Sequence, residues 1–193
     1  MINPRPKILD HLASMDYAVF EEGDWNLNII GVRKKNGTPD KFDDTMVVCY
    51  KKNGLWQEER WKVTTDPGLY HLFNPSRLEG TAILCPGQYR GAWKLGLHRG
   101  SYKALVQRKP VKVFRDASKN EMLDMDPNTV QEGLFGINIH RSNPRGSSTI
   151  VNKWSAGCQV FSSIYDYLDL IHLCEKQEAV GYSNFTYTLI EEP

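Results

Sequence analysis

Cys158 closes the tetrapeptide Ser155-Ala156-Gly157-Cys158, and eighteen residues upstream His140 closes the apolar run Phe135-Gly136-Ile137-Asn138-Ile139-His140. A thiol becomes a strong nucleophile when it loses its proton, and an adjacent imidazole is the usual way to remove that proton near neutral pH. A strand that delivers an imidazole, then a polar loop, then a Gly-Cys turn sets a base beside a thiol. The chemistry implied is attack of sulfur on a carbonyl, with histidine carrying the proton. A buried core thiol is the plain alternative for a cysteine. A Gly-Cys at the end of a polar loop, with a histidine delivered opposite, favours catalysis.

The other cysteines read differently. Cys49, Cys85 and Cys174 show no C-x-x-C spacing with Cys158 or each other, and a chain of this size needs no disulfide framework. Cys49 shares a strand face with Val47, and Cys174 continues the stripe Ile164, Leu168, Ile171 of an expected helix, so both read as small buried hydrophobes. Cys85 precedes Pro86-Gly87 at a strand end and is the only other thiol with a route to a cleft.

Residues 81–115 hold eight Lys and Arg and no Asp or Glu, with Tyr89, Trp93 and Tyr102 interleaved. Such a stretch suits one wall of a cleft for an anionic peptide or glycan, or else a set of solvated strand faces. Arg141 and Arg145 are placed to bind a substrate carboxylate in bidentate fashion. No H-E-x-x-H pair, His/Cys cluster or phosphate-binding glycine loop occurs, so no metal and no nucleotide or other cofactor is expected. The acidic segment around Asp116, Asp124 and Asp126 reads as a hydrated loop.

The elements that must position these groups follow from turn signals and alternation. Asn36-Gly37, Asn53-Gly54, Asp66-Pro67-Gly68, Pro86-Gly87 and Lys109-Pro110 punctuate the chain. Between them strands are expected at 27–33, 45–51, 56–64, 80–84, 93–98, 104–107 and 111–115, then at 135–140 and 185–190. Helices are expected at 7–14 and about 162–176, the second capped by Ser162 or Ser163. Many short strands with few helices imply a β-rich α+β domain. The 193 residues, 24% charged and 40% hydrophobic, contain no repeat or linker and suit one soluble domain spanning 1–193. A net charge of +1 gives no reason to expect nucleic acid, and no apolar run is long enough to insert in a membrane.

The order of the pair, histidine upstream and close, differs from papain-like peptidases, where cysteine comes first. With the β-run before His140 and Ser155-Ala156-Gly157-Cys158 after the loop, it resembles the catalytic domain of the L,D-transpeptidase family (YkuD-type fold). Thr64-Thr65-Asp66-Pro67-Gly68-Leu69-Tyr70 is similar to the Thr-Pro-x-Gly-x-aromatic element of those domains. The likeness covers residues 133–161, more loosely 60–116, and leaves out 1–55. It departs at Ala156, where the family carries a second histidine, and at Val160, where it carries an arginine. The branch implied is a divergent, phage-endolysin-like one.

The resemblance implies a mixed β-sandwich with a few short helices. It implies that Cys158 forms a thioester acyl-enzyme and His140 relays the proton, oriented by the backbone carbonyl of Arg141. Backbone N–H groups at Gly157 and Cys158 would form the oxyanion hole, and Ser155 would border the substrate. His98 is the candidate to stand in for the second histidine, with Tyr89 and Arg145 as further substrate contacts. The substrate implied is the peptidoglycan stem peptide, cleaved by an L,D-endopeptidase or carboxypeptidase type of hydrolase. The alternatives are a true cross-linking L,D-transpeptidase, or a non-catalytic wall-binding or virion module. Without a signal sequence at Met1–Asp10, the expectation is a monomer made in the cytoplasm that meets the cell wall after lysis or another form of export.

Overall fold

Turn chemistry sets the first hairpin. Asn53 and Gly54 both take positive φ, 53° and 73°, as a two-residue type I′ turn requires. They join β2 (Asp44–Lys52) to β3 (Leu55–Thr64), with Lys52 opposite Leu55. The Asp24 carboxylate holds the turn by accepting from the Asn53 and Gly54 amides at 2.7 and 2.9 Å.

The computed structural model describes residues 4–192. Before the hairpin lie α1 (Lys7–Ser14) and β1 (Asn28–Arg33). After it come α2 (Leu69–Phe73), β4 (Thr81–Leu84), β5 (Gly87–His98), β6 (Tyr102–Gln107) and β7 (Val111–Asp116). A 3-10 turn at Pro127–Thr129 leads to β8 (Gln131–Gly133) and β9 (Ile139–Arg141). The chain ends with β10 (Gln159–Phe161), α3 (Ile164–Ala179) and β11 (Phe185–Glu191). The protein is therefore α+β and strand-rich.

Eight strands form a closed barrel in the order β1, β11, β5, β6, β9, β10, β3, β2, with β2 pairing back onto β1. The sheet expected as part of a sandwich thus closes on itself. It does so because β1 is paired on both sides, antiparallel to β2 and parallel to β11. The strands β4, β7 and β8 make a separate small sheet. Strands β1 and β2 are apolar on both faces, and each face is covered. Ile29, Met46 and Val48 join the main core with Trp93, Phe161, Phe185 and Tyr187, over which α3 lays Tyr167, Leu170 and Cys174. The alternate residues Ile30, Val47 and Cys49 pack against Leu9 and Leu12 of α1.

The expected strand over 135–140 is shorter, because Gly136 takes φ +72°. The buried Gln107 side chain also captures the amides of Phe135 and Ile137 at 3.1 and 2.9 Å. Only Ile139–Arg141 joins the barrel. Helix α3 starts at Ile164 under the Ser163 side chain and runs three residues past the expected end.

Candidate active site

Strands β9 and β10 run parallel with His140 opposite Val160, and the Gln159 amide donates to the Asn138 carbonyl at 2.9 Å. This register brings Cys158 level with Asn138. The Asn138 amide points at the Cys158 sulfur at 3.4 Å, and the thiol donates to the Gly136 carbonyl at 3.4 Å. Residues two apart on a strand share a face, so the side chains of Asn138 and His140 project together. His98, the last residue of β5, meets both. Its ring stacks on His140 with centroids 4.1 Å apart and planes 27° apart. Asn138 Nδ2 lies 3.1 Å from His98 Nδ1.

The hydrogen-bond partners assign the tautomers. Asn138 Oδ1 accepts from the Gln107 amide at 3.0 Å, which leaves Nδ2 to donate, so His98 Nδ1 is an acceptor. His140 Nδ1 sits 2.8 Å from the Arg141 carbonyl, a group that only accepts. Nδ1 therefore carries the proton and Nε2 carries the lone pair. The Tyr102 hydroxyl stands 3.2 Å from the same Nδ1 and donates to the same carbonyl at 3.4 Å. The Arg141 guanidinium covers the Tyr102 ring at 4.0 Å.

Burial dominates the electrostatics. His140 is 4% exposed. Desolvation, with His98, Arg99 and Arg141 adding to it, pushes its pKa down to about 3 against the pull of the Arg141 carbonyl. Desolvation also raises the Cys158 thiol, opposed by the Asn138 amide and the charge of Arg99. His98 is lowered by burial and then by Arg99 and Arg141. Burial thus favours the neutral thiol and the neutral imidazole alike.

The turn that presents the thiol is built from Ser155 and Gly157. Ser155 Oγ accepts from the Gly157 amide at 3.1 Å and donates to the Cys158 carbonyl at 2.8 Å. The Ser155 carbonyl receives the Gly68 amide at 2.9 Å, which ties the turn to the 64–70 segment. Gly157 takes φ +113°, and a Cβ there would collide with the Ala82 carbonyl oxygen. Ser155 and Gly157 thus shape the turn. Because the Gly157 amide is engaged by Ser155, Gly157 contributes its conformation here rather than a free oxyanion donor.

The structure brings His140, His98 and the Arg141 carbonyl into contact, and the β9–β10 register sets the Ser155–Cys158 turn beside Asn138, two residues before His140. Tyr89 stands apart from them: its hydroxyl donates to the Cys85 and Lys112 carbonyls at 2.7 and 3.2 Å. Arg145 is exposed in the loop after β9. Cys85 is buried rather than open to a cleft, and burial raises its thiol. The basic stretch divides between the barrel strands β5 and β6 and the small-sheet strand β7. Its members are exposed except Arg115, which is buried. Asn138 is the site residue not singled out from sequence, where Tyr102 stands out only as an aromatic of the basic stretch. Asn138 had a signal, as a polar residue two places before His140 within an apolar run.

Among the described residues no group of three His, Cys, Asp or Glu side chains converges to hold a metal ion, and no helix is long and apolar enough to cross a membrane. Comparison with family models, with curated proteins and with solved structures gives no match.

Proposed function

We propose that the protein is a cysteine acyl-transfer enzyme of the L,D-transpeptidase kind that hydrolyses peptidoglycan stem peptides. The observation that carries the reading is the pairing of β9 with β10. It sets the Cys158 thiol level with Asn138, on the face that carries His140, whose Nδ1 is held by the Arg141 carbonyl. The peptidoglycan assignment rests on the motif resemblance.

In this mechanism the Cys158 sulfur bonds to a peptide carbonyl carbon while its proton passes to His140 Nε2. The tetrahedral intermediate collapses to a thioester, and the departing amine leaves with the proton from His140. Water then attacks the thioester, again giving its proton to His140, and the carboxylic acid leaves as the thiol re-forms. An amine in place of water gives a cross-link by the same steps.

A non-catalytic wall-binding module is the second reading. Its support is the neutral resting pair, the raised thiol and the departures at Ala156 and Val160. The test is incubation of the protein and its Cys158→Ala variant with defined muropeptides, followed by mass spectrometry. The expected result is Cys158-dependent loss of a terminal residue or of a cross-link. Mass gain from an added amine assigns transpeptidation instead. Unchanged substrates with undiminished wall binding by both proteins overturn the catalytic reading and leave the binding module.

A further inference from the structure

Beside the Gly-Cys turn, where the family pattern would have its second histidine, Ala156 borders a cavity of about 120 Å³ that Arg77, Thr81, Arg115 and Phe135 help to line. Arg115 is 6% exposed. Its Nε donates to Gln131 Oε1 at 2.9 Å, its Nη1 donates to the Gly80 carbonyl at 3.3 Å, and its guanidinium lies 4.6 Å from the Phe135 ring centroid. These partners are all neutral. Among the described residues neither Arg115 nor Arg77 has a carboxylate within ion-pair distance, in contrast to the buried Arg33, which faces Asp66 at 2.9 Å.

Buried charges in proteins are normally paired, since desolvation otherwise goes uncompensated. Here a second arginine is brought close instead. Burial and then the Arg77 charge lower the Arg115 pKa, opposed by Glu79. A small cavity with two cations, one anchored by fixed acceptors, matches a single carboxylate. Its position is equally defined. Ala156 lies two residues from Cys158, no more than roughly 7 Å along the chain, and Phe135 adjoins Gly136, which holds the thiol proton.

We infer that this cavity is a carboxylate subsite, taking one substrate carboxylate about one residue from the carbonyl that Cys158 attacks. The place in the reaction rests on the function proposed above, whereas anion binding at Arg77 and Arg115 needs no reactive thiol. The carboxylate has two possible sources, the substrate's C-terminus or an acidic side chain.

The first arm of the test titrates the Cys158→Ala protein with sodium acetate, and separately with inorganic phosphate, at fixed ionic strength, followed by NMR. Acetate is expected to give saturable shifts at the Ala156 amide and Arg115 Nε. Arg77→Gln, at an exposed position, is expected to weaken that binding about ten-fold. Shifts that stay linear with acetate, or saturate with phosphate alone, overturn the inference. The second arm measures cleavage by the wild-type enzyme of peptide pairs carrying acid or carboxamide at the C-terminus, or at the side chain. One amidation is expected to raise KM about ten-fold in wild type and to have little effect in Arg77→Gln, and which one does so names the source. Cleavage indifferent to both amidations overturns the subsite while the proposed function stands. Saturable acetate binding without cleavage of any peptide overturns the function while the anion site stands.

Discussion

His140 and Cys158 share one cause for their unusual titration, removal from water, and it acts on them in opposite directions. Loss of solvent favours the neutral imidazole and the neutral thiol alike, so the pair is not stored as thiolate and imidazolium. Two consequences follow for reactivity. Alkylation of Cys158 by iodoacetamide at pH 7 is expected to run slower than that of free cysteine, because the thiolate is the attacking form. On the proposed mechanism, the base remains ready in acid. With His140 held at about 3, kcat/KM on a cleaved muropeptide is expected to keep its value down to about pH 5 rather than fall through the ordinary histidine range. Mass-spectrometric alkylation rates and a pH–rate profile check both. Fast alkylation joined to an acid limb near 6.5 would mean that the charged pair is the resting state. Within the site, the Arg141 carbonyl and Tyr102 hydroxyl converge on one ring nitrogen, which leaves Nε2 as the only base position.

Elements position that site through backbone geometry more than through side-chain packing. Gly157→Ala puts a methyl group into the Ala82 carbonyl and an L-residue at φ +113°. The combined strain and collision are expected to cost about 2–4 kcal/mol in urea unfolding, or to displace the turn and abolish turnover. Ala156→Ser, one residue away at an exposed position, serves as the control and is expected to stay within about 0.5 kcal/mol of wild type. A stable, fully active Gly157→Ala would show that the turn is not what aims the thiol. Much of this level was legible in the sequence. Alternation and turn residues place β1 to β4, β6, β7, β11 and α1 to within two residues, whereas β5 starts at Gly87, six residues before its expected start. What was not legible depends on distant partners. Gln107 takes two amides from the 135–138 segment, which shortens β9. The three-residue strand β10 exists because β3 and β9 lie on either side of it. His98 reaches His140 through the pairing of β5 with β6 and of β6 with β9, three elements that no local pattern connects.

At the scale of the whole molecule, two sets of buried titratable groups pull the pH dependence of stability in opposite directions. His140 has a folded pKa near 3 against about 6.5 when unfolded. Its contribution is therefore fully present above 6.5 and is lost as pH falls toward 3. Between pH 7 and pH 5 that loss is about 2 kcal/mol. Asp66 behaves in reverse. Burial, resisted by Arg33 and reinforced by Asp44 and Asp43, raises its carboxyl to about 6, above the unfolded value of about 3.9. Its contribution is present below about 3.9 and lost as pH rises through 6, so acidification from pH 7 to pH 5 returns about 1 kcal/mol. Asp44, raised by burial in the same cluster, adds to that return. The wild-type curve is thus expected to be shallow across this range, although each group alone is steep. His140→Asn removes one arm, and its stability is expected to rise as pH drops from 7 to 5, with a slope about 2 kcal/mol more favourable to acid than that of wild type. Urea unfolding of both proteins at pH 5, 6 and 7 measures the difference directly. Parallel curves would mean that His140 takes up protons in the fold as readily as in the open chain, and the neutral buried base on which the proposed proton transfer depends would go with it.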